Sequence, residues 1–262
     1  MSRFHEPVHC YMSAPVATVR VGALLAEAER RLADRNISCL AVTGPDGRLA
    51  GVLSRTDLLR VGRLRATMAE GETLLSLPHQ VVHQRMVRDV VTVGEKEPLH
   101  AAARRLVERQ IHRVFVAEGG WPIGVVSTRD LMRAVVDERL ASPIAEHMKS
   151  PVLTVEVSDS LALATDLLAE AHVSGLVVVD QGWPVGIFTQ TEALAARALD
   201  RGTPVEEAMG HALLCLPMGM PLFRATSMAL AARSRRILAV EHRELRGIVT
   251  GLDLARVVAA AG

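Results

Sequence analysis

The sequence has 262 residues, of which 49% are apolar and 23% charged, a balance typical of globular proteins that argues against a disordered chain. The formal net charge is +1, so no excess of basic residues indicates binding to nucleic acid or to an anionic membrane. The three cysteines lack the spacing of a disulfide framework or a zinc ribbon, which favours a reducing compartment. Because we find no basic and apolar leader, and prolines interrupt the longest uncharged run at 208–223, we expect a cytoplasmic protein.

The N-terminal segment contains a possible metal motif. Residues 5–9 (HEPVH) match H-E-x-x-H, in which two histidines on one face of a helix bind zinc. The proline inside the motif is incompatible with the long helix that such a site requires. His79 and His83 also have helical spacing, but no third ligand stands near them in the sequence. We therefore predict no metal site.

One motif recurs four times along the chain. Each copy has a glycine, two apolar residues, a hydroxyl residue and, three positions after the hydroxyl, a carboxylate. A methionine precedes every copy at a nearly constant distance, and this shared register indicates a tandem repeat of about 60 residues. The motifs are Gly51-Ser54-Asp57, Gly124-Ser127-Asp130, Gly186-Thr189-Glu192 and Gly247-Thr250-Asp253.

We predict the order β-α-β-β-α in each repeat, with first strands that begin at Thr18, Thr92, Thr154 and Cys215. In the second repeat, apolar residues at helical spacing predict a helix over 98–110, and a Gly-rich turn joins two strands over 114–127. The hydroxyl residue then opens a second helix over 130–140. The predicted boundaries are 1–60 for repeat 1, 61–84 for a linker with helical content, 85–140 for repeat 2, 141–200 for repeat 3 and 201–262 for repeat 4.

These units resemble the cystathionine β-synthase domain, or CBS domain. The resemblance rests on the element order, on the apolar strand that runs through glycine into [ST]-x-x-D, and on the methionine ahead of the first strand. It covers about 8–258 and implies an α/β (α+β) fold in which four repeats pair into two pseudo-twofold Bateman modules. This layout is similar to that of the γ subunit of AMP-activated kinase, and it implies a disc of four repeats within one chain or between the chains of a homodimer.

The resemblance implies clefts that bind adenosine-containing ligands, and the motif residues suit that chemistry. A carboxylate accepts hydrogen bonds from ribose hydroxyls, and a hydroxyl residue at a helix start lies where free N–H groups favour phosphate. The alternative is a capping box, which needs no ligand. Because Glu192 has an extra methylene, we expect repeat 3 to be the weakest site. The candidate residues, with the threonines of the first strands, are Thr18, Ser54, Asp57, Thr92, Ser127, Asp130, Thr154, Thr189, Thr250 and Asp253.

Basic and neutral pairs alternate where the second strand of each repeat begins. Repeats 2 and 4 have basic pairs, and repeats 1 and 3 have small neutral pairs. The resemblance to the kinase γ subunit, where a His-Arg pair contacts phosphate, implies the same role for the basic pairs here. The alternative is a solvated pair at a strand end. The pairs are, in chain order, Ser38-Cys39, His112-Arg113, Ser174-Gly175 and Arg235-Arg236.

The sequence contains no recognisable catalytic constellation, phosphate loop or dinucleotide fingerprint, so we predict that the protein is not an enzyme. The leading hypothesis is a regulatory sensor that binds AMP, ADP or ATP and transmits a conformational change to an unidentified regulated protein. S-adenosylmethionine, NAD and cyclic dinucleotides are the second choices of ligand. The alternative hypothesis is a ligand-free scaffold for assembly and oligomerisation.

Overall fold

The computed structural model describes residues 2–66 and 73–262, and within them each repeat has a three-stranded sheet. The second strand of the repeat lies in the middle, with the first strand parallel to it. In repeats 1, 3 and 4 the third strand is antiparallel to the middle one. The strands are β1 (Thr18–Arg20), β2 (Cys39–Thr43), β3 (Leu49–Ser54), β4 (Arg63–Ala66), β5 (Thr73–Ser76), β6 (Thr92–Val93), β7 (Arg113–Glu118), β8 (Trp121–Ser127), β9 (Thr154–Glu156), β10 (Gly175–Asp180), β11 (Trp183–Thr189), β12 (Cys215–Pro217), β13 (Arg236–Glu241) and β14 (Glu244–Thr250).

Two helices accompany each sheet. The first helix has ten residues in every repeat and buries apolar positions at helical spacing, such as Leu99, Ala102 and Leu106 in repeat 2. The predicted β-α-β-β-α order is therefore confirmed in all four repeats. The helices are α1 (Leu25–Asp34), α2 (Arg55–Val61), α3 (Leu99–Glu108), α4 (Thr128–Asp137), α5 (Leu161–Glu170), α6 (Gln190–Ala195), α7 (Leu222–Ala231) and α8 (Gly251–Ala259).

Over the described residues of the linker after repeat 1, the structure has two short paired strands and one 3₁₀ turn at Val82–Gln84 where the sequence predicted helical content. Gly62 ends α2, and strands β4 and β5 then pair in antiparallel register. Basic and apolar residues alternate over 63–66, which is the period of a strand. Leu75 and Leu77 pack against the core of repeat 1. Residues 67–72 of the predicted linker lie outside the described residues.

Contacts divide the chain into two compact units, and each has a hydrophobic core of its own. In the smaller unit, buried leucines of repeat 1 dominate this core. In the larger unit, one core lies within repeat 3 and another lies between the sheets of repeats 3 and 4. The larger unit comprises Met1–Met12, Glu95–Val114 and Val126–Gly262, and the smaller unit comprises Ser13–Gly94 and Phe115–Val125.

The N-terminal segment packs on α3 of the larger unit. It forms two separate 3₁₀ turns, Arg3–His5 and Val8–Cys10, which place the two histidines of the H-E-x-x-H match on different turns. The ring of His5 meets the ring of His100 edge-on, with 5.2 Å between the centroids. Pro7 lies between the two turns, so this segment does not form the single helix that a zinc-binding H-E-x-x-H motif requires.

Repeats 3 and 4 exchange the segments that precede their first strands. The N–H of Lys149 donates to the carbonyl of Ile248 at 2.9 Å, and the N–H of Ile248 donates back at 3.0 Å. Gly210 of repeat 4 forms the same two-way bridge with Ile187 of repeat 3. This reciprocity is what the pseudo-twofold pairing of two repeats predicts. The smaller unit contains the corresponding bridges of repeats 1 and 2, which are Ser13 with Val125 and Val87 with Val52.

A methionine packs against the motif glycine of the paired repeat, which explains why the two residues recur together. A Cβ atom on each glycine would overlap the methionine side chain. Only glycine leaves room for this contact, so the methionine and the glycine depend on each other across the pair of repeats. The pairs are Met86 with Gly51, Met209 with Gly186 and Met148 with Gly247.

In the larger unit, repeats 2 and 4 pack together through their helices. Helix α3 contacts α8, and α4 contacts both α7 and α8. At the N-terminal ends of α4 and α8, the hydroxyl of Thr128 lies 2.7 Å from the position that a Cβ on Gly251 would occupy. The starts of these two helices therefore converge on one region.

Candidate functional site

The hydroxyl and carboxylate of each motif form a capping box at the start of the second helix. In repeat 2, the N–H and the hydroxyl of Ser127 donate to Oδ2 of Asp130 at 2.8 and 2.7 Å. The Asp130 side chain is 4% exposed, so protein encloses most of this carboxylate. The capping interpretation is confirmed in all four repeats, and the ribose role remains a prediction. A ligand would have to use the other carboxylate oxygen.

An arginine three residues after the carboxylate contacts that other oxygen in three repeats. Arg133 donates to Oδ1 of Asp130 at 2.9 Å. Since an ionised carboxylate has about four lone-pair sites, the three donors around Asp130 leave roughly one acceptor site open. The sequence reasoning missed this arginine, although the spacing D-x-x-R recurs in the motifs. The other pairs are Arg60 with Asp57 and Arg256 with Asp253.

Repeat 3 departs from this arrangement at two positions. Glu192 replaces the aspartate, and its Oε2 accepts hydrogen bonds from the N–H of Thr189 at 3.0 Å and from the Thr189 hydroxyl. Ala195 stands where the other repeats have the arginine. Helix α6 has only six residues and buries none of them. That repeat 3 is the weakest site stays a prediction, and these departures favour it.

The structure brings the two basic pairs together at the converging starts of α4 and α8. Each pair has one residue just before the middle strand and one residue that begins it. The carbonyl of His112 accepts a hydrogen bond from the N–H of Thr128, the first residue of α4, at 3.0 Å. Sequence reasoning assigned the two pairs to separate repeats and did not predict that they meet. We call His112, Arg113, Arg235 and Arg236 the basic cluster.

The positively charged side chains of the basic cluster repel one another electrostatically. Burial lowers the pKa of His112 below its ordinary value, and the neighbouring guanidinium groups lower it further. Burial likewise lowers the pKa of Arg235, as do the charges of Arg113 and Arg129. Both His112 and Arg235 remain accessible to solvent, so their burial is partial and water screens part of the repulsion. Within the described residues, no carboxylate pairs with Arg235.

Arg236 crosses from repeat 4 to the neutral pair of repeat 3. One guanidinium nitrogen, Nη2, donates to the carbonyl of Ser174 at 3.1 Å and to its hydroxyl at 3.3 Å. A Cβ on Gly175 would come within 2.9 Å of the same nitrogen. Burial and the charge of Arg235 lower the pKa of Arg236, whereas Glu192 raises it. The neutral pair therefore gives space and hydrogen-bond acceptors to the arginine of the paired repeat.

Three of the candidate residues are the threonines that begin the first strands of repeats 1, 2 and 3. Thr18 pairs with Ala41 in the β1–β2 ladder. Thr92 lines a cavity of about 300 Å³ within the smaller unit, next to Arg88. Thr154 is exposed, and within the described residues its side chain forms no hydrogen bond. A ligand role for these threonines stays a prediction.

Two further observations concern the described residues as a set. Among the helices of residues 2–66 and 73–262, none combines the length and the apolar character that a bilayer-spanning segment requires. Over the same ranges, no three histidine, cysteine or acidic side chains come together as a group that would hold a metal ion.

Comparison with known proteins identifies the repeated unit. The family model described as the CBS domain matches residues 8–63, 81–137 and 144–199, which make up more than half of the chain. An uncharacterized 33.4 kDa protein from a ribosomal RNA operon of Thermofilum pendens is 26% identical over 194 residues, which cover 69% of this chain and 61% of that protein. Protein MJ1225 of Methanocaldococcus jannaschii is 23% identical over 208 residues, which cover 74% of this chain and 71% of that protein.

Solved structures share the fold over nearly the whole chain. The crystal structure of MJ1225, described as a proposed archaeal homologue of γ-AMPK, matches with a TM-score of 0.76 and 16% identity over 96% of this chain and 99% of that one. An uncharacterized conserved protein from Pyrococcus horikoshii matches with a TM-score of 0.69 and 20% identity over the same shares. At these identities the likeness establishes the fold. The chain spans less than two thirds of the length of its Thermofilum relative.

Proposed function

Because the chain belongs to the CBS domain family, we propose that it is a regulatory sensor that binds AMP, ADP or ATP in clefts between its paired repeats. The observation that carries the proposal is the basic cluster. The proposal places the protein in the cytoplasm, as a single chain or a homodimer, and assigns it no chemical reaction. Its output is a conformational change that a partner protein detects.

The basic cluster supports a phosphate-containing ligand because it concentrates positive charge at the starts of two helices. Cations held close together and partly desolvated repel one another, and an anion relieves that repulsion. The N-terminal ends of α4 and α8 add the positive ends of two helix dipoles. A phosphate group is an anion that uses both features at once.

The capping carboxylates support a ribose at the other end of the same ligand. Asp130 has roughly one lone-pair site free after its three intramolecular hydrogen bonds, and a ribose hydroxyl is a donor of the right kind. A hydrogen bond to a charged acceptor contributes about 1.5–3 kcal/mol. Capping and ligand binding are therefore compatible at this residue, since they use different oxygens.

A signal requires that the ligand bind one conformation better than another. The basic cluster takes residues from repeat 2 and from repeat 4, whose helices pack together. A phosphate bound there would contact both repeats and favour the arrangement that brings His112 and Arg235 together. A partner that contacts repeats 2 and 4 would detect this preference.

The first test is a thermal-shift panel with AMP, ADP, ATP, S-adenosylmethionine, NAD and cyclic dinucleotides. A ligand at a hundredfold excess over its Kd stabilises the fold by about 2.7 kcal/mol, which raises the melting temperature. No shift with any of them would contradict the sensor and favour the scaffold hypothesis.

The second test separates phosphate recognition from adenosine recognition. The change Arg235→Gln removes a charge of the basic cluster, so AMP affinity in isothermal titration should fall at least tenfold, about 1.4 kcal/mol, while adenosine affinity stays the same. Arg30→Gln is the matched control, because Arg30 is exposed on α1 and has no ion pair within the described residues. Equal losses for AMP and adenosine would mean that Arg235 supports the cleft and does not contact phosphate.

A further inference from the structure

Among the described residues, Asp253 of repeat 4 has a second cation beside it, whereas the ion pairs of Asp57 and Asp130 involve one arginine each. Nζ of Lys149 lies 3.3 Å from Oδ1 of Asp253, which also contacts Arg256. Lys149 comes from the segment before β9 of repeat 3, and its backbone is held by two hydrogen bonds to Ile248. The position of its Cα is therefore determined by the pairing of repeats 3 and 4, although its side chain is 56% exposed.

The bridges between paired repeats identify the equivalent position in the other three repeats. Each bridge joins the residue after the repeat's methionine to the residue after the motif glycine of the paired repeat. None of the other three residues carries a charge, so the extra cation is specific to the motif of repeat 4. These residues are Ser13, Val87 and Gly210.

Counting hydrogen bonds shows what this lysine changes. Oδ2 of Asp253 accepts from the N–H of Thr250 at 2.8 Å and from its hydroxyl at 2.6 Å, and Oδ1 contacts Arg256 and Lys149. The hydrogen bonds from Thr250 and Arg256 use three of the roughly four lone-pair sites of a carboxylate, and the ammonium group of Lys149 forms an ion pair beside the fourth. A ribose hydroxyl that takes this site therefore competes with Lys149 for Oδ1 of Asp253. At Asp130, by contrast, roughly one site is open before any ligand arrives.

The local charge also differs between the two carboxylates. Arg133 alone balances the charge of Asp130, whereas two cations surround Asp253 and give its surroundings a net positive charge. A phosphate on the ribose would gain no net attraction from the neutral pair of Asp130 and Arg133. Beside Asp253 it would meet the ammonium group of Lys149, which is 56% exposed and held there by an ion pair.

We propose that Lys149 makes the repeat 4 cleft selective for nucleotides that carry a phosphate on the ribose 2′ or 3′ oxygen, over nucleotides whose ribose has a free vicinal diol. This inference rests on the proposed nucleotide-binding function. The ribose phosphate draws Lys149 away from Asp253, and the remaining ribose hydroxyl takes the vacated acceptor site on Oδ1. Both charged groups then keep a partner. When a nucleotide with a free ribose diol binds, Lys149 would lose its ion pair with Asp253 and gain no new partner, which lowers the affinity for that nucleotide.

Lysine is suited to this exchange, because its compact ammonium group has rotatable donors on a flexible stem, whereas arginine prefers a fixed planar geometry. The chain has 30 lysine and arginine residues in all, and only Lys96 and Lys149 are lysines. Lys96 is exposed and forms no ion pair within the described residues, so it is a matched control. Two lysines also make each ammonium group separately observable.

The test compares Lys149→Gln and Lys96→Gln by isothermal titration with adenosine 3′,5′-bisphosphate, adenosine 2′,5′-bisphosphate and 5′-AMP. Lys149→Gln should weaken binding of the preferred bisphosphate at least tenfold and leave 5′-AMP binding unchanged or tighter. Lys96→Gln should change neither. Equal effects on bisphosphate and 5′-AMP, or no effect on either, would overturn the proposal.

A spectroscopic readout assigns the effect to Lys149 itself. Reductive methylation of the Lys96→Gln protein with ¹³C keeps the positive charge and leaves Lys149 as the one labelled lysine side chain. Its NMR signal should shift with a ribose bisphosphate and move much less with 5′-AMP. If 5′-AMP binds and the Lys149 signal responds to both ligands alike, the selectivity is refuted while nucleotide binding stands. If no nucleotide binds, the proposed function fails first.

Discussion

Replacing Asp130 with alanine removes a carboxylate that is assigned two roles, a cap for α4 and an acceptor for ribose. The cap uses Oδ2, which accepts from Ser127, and the ribose is assigned to Oδ1, which also accepts from Arg133. Stability and ligand affinity should therefore both fall in this variant, by amounts that can be estimated separately.

The loss of stability follows from the cap and from the arginine. Loss of an N-terminal capping interaction costs about 1 kcal/mol. Arg133 is 52% exposed, so its guanidinium group regains water after Asp130 is gone and adds little to the cost. We expect Asp130→Ala to lower the free energy of unfolding by about 1–2 kcal/mol and to leave the protein folded.

The loss of affinity should be larger than the loss of stability. A ribose hydroxyl bonded to a charged acceptor contributes about 1.5–3 kcal/mol, so nucleotide affinity at this cleft should fall roughly 10- to 150-fold. In isothermal titration the number of tight sites per chain should decrease by one. Chemical denaturation of the same sample measures the stability.

The control variant is Ser127→Ala, which removes the capping hydroxyl and leaves the carboxylate in place. It should lose a similar amount of stability and keep most of its nucleotide affinity. Equal losses of affinity in Ser127→Ala and Asp130→Ala would mean that the carboxylate acts only through the helix start. Unchanged affinity in both variants would mean that Asp130 is a cap and nothing more.

Two further predictions concern His112 and Gly247. Folding lowers the pKa of His112, so the unfolded chain takes up a proton before the folded chain does as the pH falls below about 6.5, and the protein loses stability. His112→Gln should therefore reduce the loss of stability that denaturation measures between about pH 7.5 and 5.5. An unchanged pH dependence would contradict this. Gly247→Ala adds a methyl group that overlaps Met148 and should cost about 1–3 kcal/mol of stability, with a smaller cost in a Met148→Ala background. Equal costs in both backgrounds would show that the two residues do not interact.

The features that the sequence predicted correctly are local or periodic. The element order follows from strand and helix spacing within one repeat, and the capping boxes follow from residues three positions apart. The arginine three residues after each aspartate is equally local, since the spacing D-x-x-R recurs in three motifs. The linker hairpin was missed because four-residue strands carry too weak a period to outweigh an expectation of helix.

The contacts that a single sequence could not predict are those between repeats. Nothing in the spacing of His112 or Arg235 indicates that their repeats meet at the starts of α4 and α8, because that meeting depends on how four helices pack. The position of Lys149 beside Asp253 depends in the same way on an exchanged segment. The repeated sequence predicts the fold of each repeat, whereas the packing of the repeats determines which side chains of different repeats come together.

The alternation of basic and neutral pairs shows why assembly and ligand binding are expected to be coupled. Arg236 reaches Ser174 because Gly175 leaves space for the guanidinium group, so in repeats 3 and 4 the small pair and the basic pair fit each other before any ligand binds. A phosphate that draws Arg236 toward itself would weaken this contact between repeats and replace it with one to the ligand. The bound and free states would then differ in a contact between repeats 3 and 4. Such a difference is what a sensor needs, since a ligand shifts a conformational equilibrium only through contacts that differ between the two states.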